Sequence, residues 1–186
     1  MSVLEAHEHA EHAEHAAETK DPFASKVSIT IALLAVAAAV TSSLETYESA
    51  GAIIAANEAV LAQDKATDAW NLYEAKSLKK NLYVIAGDAG GPKAAAYAAK
   101  AKDEGAGGDD SKNRAQSLEA DSRHAQEVSQ SHEARHHRLT LGATLLEIGI
   151  ATSTIAIITR KRWPWIASAA LGLGGAAVAV SAYIWV

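Results

Sequence analysis

The chain has 186 residues, a net charge of −5, 49% hydrophobic residues and only 5% aromatic ones. This length holds one domain, the acidic balance argues against nucleic acid as the main partner, and the absence of cysteine removes disulfides, thiolate catalysis and cysteine zinc sites. Alanine supplies much of the apolar count, which favours long, closely packed helices, and no alternating run of β-branched or aromatic residues predicts a sheet.

Residues 1–21 form a Glu/His-rich polar leader in which His9, His12 and His15 recur every three residues beside glutamates. Imidazole and carboxylate in such a tract are chemistry for zinc or nickel. A period of three drifts around a helix by about 60° per step, so the three histidines do not share a face. A solvated polar helix whose histidines respond to pH is therefore the preferred reading. The leader is not a secretory signal, because the apolar run starts only at Val27 and the segment before it is acidic.

Residues 22–44 read as the first transmembrane helix. Asp21 suits an N-cap, Pro22 the first helical position, and Val27–Leu44 is uncharged. Its many small residues predict close contact with another helix. Residues 45–138 follow as an extramembrane helical hairpin. The outgoing arm continues the first span to about Ala86, with Ala62, Ala66, Ala69 and Tyr73 as a narrow stripe for a close helical partner. Gly87–Pro92 stops it, a short helix spans 93–103, and the glycines of 104–110 predict a flexible turn before the return arm starts at Asp110 or Ser111. His124, His132, His136 and His137 gather towards the membrane end of that arm and, with Arg135 and Arg138, read as a ring of interfacial cations. Glu45 and Glu48 lie just beyond the first span and would line an outer mouth if chains assemble.

The second and third transmembrane helices fall at 139–160 and 164–186, hinged on Arg160-Lys161-Arg162-Trp163-Pro164-Trp165. Each run has the roughly 20 residues that a core of about 30 Å requires, with aromatic residues at both interfaces. Glu147 lies near the middle of its span, where an ionised carboxylate costs several kcal/mol and must be neutralised or partnered; Thr41 and Ser42 reach a similar depth. It reads either as an ion- or proton-handling site or, preferably, as a neutral group hydrogen-bonded to a neighbouring helix. Ser168, Gly172 and Ala176 are spaced by four, with Gly174 beside them, and predict tight packing within or between chains. The three charges of the short basic hinge place it in the cytoplasm, which puts the N-terminus inside and the hairpin outside.

Asp21-Pro22, Val27–Val36, Ser43–Thr46, Asn57–Gln63 and the Ala69-Trp70…Tyr73-Glu-Ala-Lys-Ser77 segment together resemble a bacterial membrane family known as domain of unknown function 4337. The resemblance covers most of the chain and implies a helical protein of the bacterial inner membrane. It brings no activity or catalytic residues with it.

The expected fold is an all-α membrane protein with three transmembrane helices and a long antiparallel, coiled-coil-like hairpin outside the bilayer between the first two. No Ser/His/Asp set, phosphate loop or paired carboxylates can be assembled, so neither an enzyme nor a cofactor is expected. The leading function is a structural or accessory membrane protein that self-assembles or docks on a larger membrane complex, its partners being the bilayer and other copies or subunits. A small channel or transporter using Glu147 is the alternative, and a metal- or pH-responsive module built on the leader the third.

Overall fold

The computed structural model describes residues 22–184, which form three helices joined by two short turns, with no strand among the described residues. These helices are α1 (Pro22–Asp88), α2 (Ala94–Thr159) and α3 (Arg162–Ile184). Each is long and apolar enough to cross a membrane. The leader, with His9, His12 and His15, lies outside the described residues.

Proline punctuates the chain where the backbone tolerates it. Pro22 opens α1, and Pro164 sits in the first turn of α3, where its missing N–H has no helical acceptor to lose. Between α1 and α2, Gly90 and Gly91 adopt positive φ (80° and 99°), and Ala94 N–H donates to the Gly91 carbonyl at 3.2 Å. The second turn has no glycine to take the left-handed position. Arg160 takes it at φ 52°, a conformation that costs a non-glycine residue roughly 1 kcal/mol.

The hairpin tip differs from the sequence expectation. Residues 93–103 are not a separate short helix, and 104–110 are not a flexible turn: α2 runs unbroken through Gly105, Gly107 and Gly108. The reason lies on α1, whose Lys80 and Lys76 stems and Tyr73 ring lie against these three glycines. Where a neighbouring helix covers the glycines, packing outweighs the roughly 1 kcal/mol per glycine of poorer propensity.

The chain divides into two compact units. The first is built from residues 22–52 and 130–184. Val27, Ile31, Leu34 and Ala38, spaced by three or four on α1, pack with Leu146 and Ile150 of α2, and Phe23 meets Trp165 of α3 edge to face at 6.2 Å. Some polar groups inside it bond across helices: Ser153 donates to Ser168 at 2.7 Å, and Trp165 Nε1 donates to Thr30 at 3.0 Å, whereas the buried Ser28 hydroxyl has no hydrogen-bond partner among the described residues. The second unit, Ile53–Ser129, is an antiparallel pair with alanine at its seam. Ala55, Ala59, Ala66 and Ala69 are buried against an α2 face that contributes Ala101 and Ala115. Ser122 donates to the Ala59 carbonyl at 2.9 Å, Trp70 Nε1 donates to Glu119 at 2.8 Å, and the Tyr83 and Tyr97 rings stack at 6.2 Å. Small side chains bring the backbones close, and the large ones named here anchor by a hydrogen bond, for Trp70, or by stacking, for Tyr83 and Tyr97.

Candidate functional site

Two features of the first unit carry chemistry. One is a polar cluster one turn beyond the apolar run of α1. Glu48, 2% exposed, has both oxygens engaged: Oε2 lies 2.6 Å from His132 Nδ1, and the Tyr183 hydroxyl donates to Oε1 at 2.9 Å. One carboxylate thus ties α1 to α2 and to α3. Arg135 adds a longer charge contact at 3.9 Å and lies over the Tyr183 ring at 5.9 Å. A turn earlier on α1, Glu45 Oε1 accepts from Thr140 at 2.6 Å and lies 3.9 Å from His136 Nδ1. Arg138 donates to the Ser181 carbonyl at 2.9 Å, a second tie from α2 to α3.

Local sequence places each of these groups. Glu45 and Glu48 are three apart on α1, and His132, Arg135, His136 and Thr140 recur at three- and four-residue steps on α2, so each set shares a helix face. Gly51 opens the space for the imidazole, since a Cβ built there would come within 2.9 Å of the His132 ring. Burial by itself raises the Glu48 carboxyl. The hydrogen bonds from His132 and Tyr183 and the charges of His132 and Arg135 outweigh it and hold the carboxyl below its ordinary value. A carboxylate with both oxygens occupied by donors is a tie between helices rather than an available base. The cluster holds no triad of metal ligands; among the described residues no group of three or more His, Asp or Glu side chains could hold a metal ion.

The other feature is Glu147. It is exposed, facing away from the three-helix core together with Thr144 and Ala151, while its neighbours Leu146 and Ile150 point inwards. Thr41 is turned the opposite way, buried and donating to the Ala37 carbonyl at 2.9 Å, and Ser42 is half-buried. Glu147, Thr41 and Ser42 therefore do not form one site within the chain.

The small-residue face of α3 is used inside the chain. Ser168 and Gly172 are buried, with Gly172 against Leu34 and the Ser168 carbonyl against Gly149. Gly175, rather than Gly174, makes the close approach: a Cβ there would stand 2.7 Å from the Gly142 carbonyl. Gly174 faces open space, and Ala176 is half-buried.

Sequence reasoning noted the glutamates beyond the first span and the basic ring on α2 separately, without pairing them. The signal that pairs them is the turn at Gly90-Gly91. Tyr83 with Tyr97, and Glu48 with His132, sit nearly equal distances along the chain on either side of it. Tyr183, arriving from α3, had no such signal.

A family model described as Domain of unknown function (DUF4337) matches residues 23–185, and the chain belongs to that family. No curated protein and no solved structure matches it.

Proposed function

We propose that this member of the DUF4337 family is a structural or accessory integral membrane protein that assembles in the plane of the membrane with further copies of itself or with a larger complex. The observation that carries this reading is Glu147 on the outward face of its helix. A carboxyl at mid-span facing hydrocarbon costs several kcal/mol, and a hydrogen-bonding partner on another chain removes that penalty. Thr144 and Ala151, small and on the same exposed face, let a second helix come close enough to supply it.

In this reading the chain crosses a bacterial inner membrane three times. A crossing takes about 20 residues, so most of the 67 residues of α1 and the 66 of α2 stand outside the bilayer as a hairpin. The exposed apolar side chains of the first unit, such as Leu33, Val36, Ile155 and Leu173, suit a lipid surface. The basic hinge of 160–162 favours the cytoplasmic side for the α2–α3 turn and hence the periplasm for the hairpin.

The test is native mass spectrometry of the full chain in mild detergent. Oligomers or a co-purifying complex are expected, retained in Glu147→Gln, whose amide still hydrogen-bonds, and lost in Glu147→Leu. A lone monomer from gently solubilised membranes overturns the proposal. The exposure of Glu147 also supports a second reading, an ion or proton path formed between copies. Glu147→Gln separates the two, because it spares assembly but abolishes flux into liposomes; assembled protein that conducts nothing excludes the path.

A further inference from the structure

The outward face of α1 in the second unit is more apolar than a water-facing helix requires. Ile53, Ile54, Val60 and Leu61 at one end, and Leu78, Leu82 and Ile85 at the other, are each between 54% and 67% exposed. α2 offers nothing comparable: among the described residues it exposes no large apolar side chain between Ala94 and Arg138. Large side chains clustered in this way on a surface standing in water mark an interface.

Their spacing says what kind. Ile54, Leu61, Asp68, Ala75 and Leu82 recur every seven residues, and all are exposed. Three residues after each stand Asn57, Asp64, Asn71, Leu78 and Ile85, also exposed. Two positions three and four apart, repeated every seven, are the seam of a helix that packs on another helix by knobs into holes. The seam is apolar at its ends and polar in the middle.

We propose that a second copy of this chain covers this face, its α1 packed parallel and in register against the first. The proposal rests on the membrane-assembly reading above, in which copies inserted with the same orientation hold their hairpins side by side and level. A parallel, level partner sets apolar ends against apolar ends. It also brings Glu74, just before one seam position, opposite Lys79, just after the next, which is the charge pairing expected between helices in parallel register. An α1-to-α2 contact would bury the apolar ends against a face without matching side chains. The acidic middle opposes the contact, since Asp64 meets its own counterpart, so this seam is weaker than its ends alone would make it.

The chain has no cysteine, so single cysteines report the seam directly in the full protein in native membranes. Ile54→Cys and Leu82→Cys are expected to form disulfide-linked dimers on mild oxidation, and Gln126→Cys, exposed on α2, to form none. In the Leu82→Cys background, Leu78→Glu should reduce crosslinking about tenfold and Asp64→Asn should increase it, opposite signs that misfolding does not produce. Oligomers in native mass spectrometry without crosslinks at residues 54 and 82, or equal crosslinking at 126, overturn the seam and leave membrane assembly standing. Monomers by both measurements overturn the two together.

Discussion

Glu48 holds three helices together with one side chain, and each of its partners can be removed singly. In Glu48→Gln the Tyr183 hydroxyl donates to an amide oxygen, a weaker acceptor than the carboxylate, and the charge contact with His132 and Arg135 is broken. A loss of about 1–3 kcal/mol is expected, read as a fall in melting temperature; a variant that melts with the wild type would refute the role given to Glu48. The same residue carries a pH dependence. Its carboxyl is held below its ordinary value in the folded chain, so its contribution is complete above the unfolded value and is lost as pH falls through the folded one. Stability should therefore decline at the acidic end of the carboxylate range, and Glu48→Gln should flatten that decline. Gly51 tests the geometry independently. Gly51→Ala pushes on the His132 ring and should destabilise the chain, and combining it with His132→Ala should add little, because both act on one contact.

At the scale of the helices, glycine has two opposite meanings, and only packing tells them apart. A Cβ added at Gly105 or Gly108 would meet Lys80 at 3.5 Å or Tyr73 at 3.7 Å, ordinary contact distances, so a methyl group fits there. Gly105→Ala and Gly108→Ala are expected to stabilise α2 by about 0.5–1 kcal/mol each through helix propensity. A Cβ added at Gly142 or at Gly175 would stand 2.9 or 2.7 Å from the other's carbonyl oxygen, so a methyl group there would force α2 and α3 apart. Gly142→Ala and Gly175→Ala should destabilise, and melting curves showing one sign for all four variants would contradict the packing described. This contrast also explains what was legible in the sequence. Three long helices and their apolar spans follow from run lengths, helix formers and three prolines, all local signals. The continuity of α2 through its glycines depends on Tyr73, Lys76 and Lys80 from another helix, and the outward direction of Glu147 depends on which face Leu146 and Ile150 bury. Neither can be read within one helix alone.

For the whole molecule, in the three-span arrangement proposed above, orientation in the bilayer decides which compartment the hairpin serves, and it rests on a balance of charges. Arg160, Lys161 and Arg162 lie in a turn too short to dilute them, and they favour the cytoplasm. Arg135 and Arg138 sit at the opposite end of the second span and oppose them. Both are engaged within the protein: Arg138 donates to the Ser181 carbonyl and Arg135 reaches Glu48. The residues of the basic turn, by contrast, are exposed. The hairpin tip is the place to read the outcome, and it lies at Gly90-Gly91. Lys93→Cys beside that tip and Lys161→Cys in the basic turn are both exposed positions in a chain without other thiols. A membrane-impermeant maleimide added to spheroplasts should label Lys93→Cys at once and Lys161→Cys only after the membrane is permeabilised. The reverse pattern would put the hairpin, with its apolar α1 face, in the cytoplasm. The parallel seam would survive that result, because either orientation keeps neighbouring copies level, whereas a periplasmic role would not.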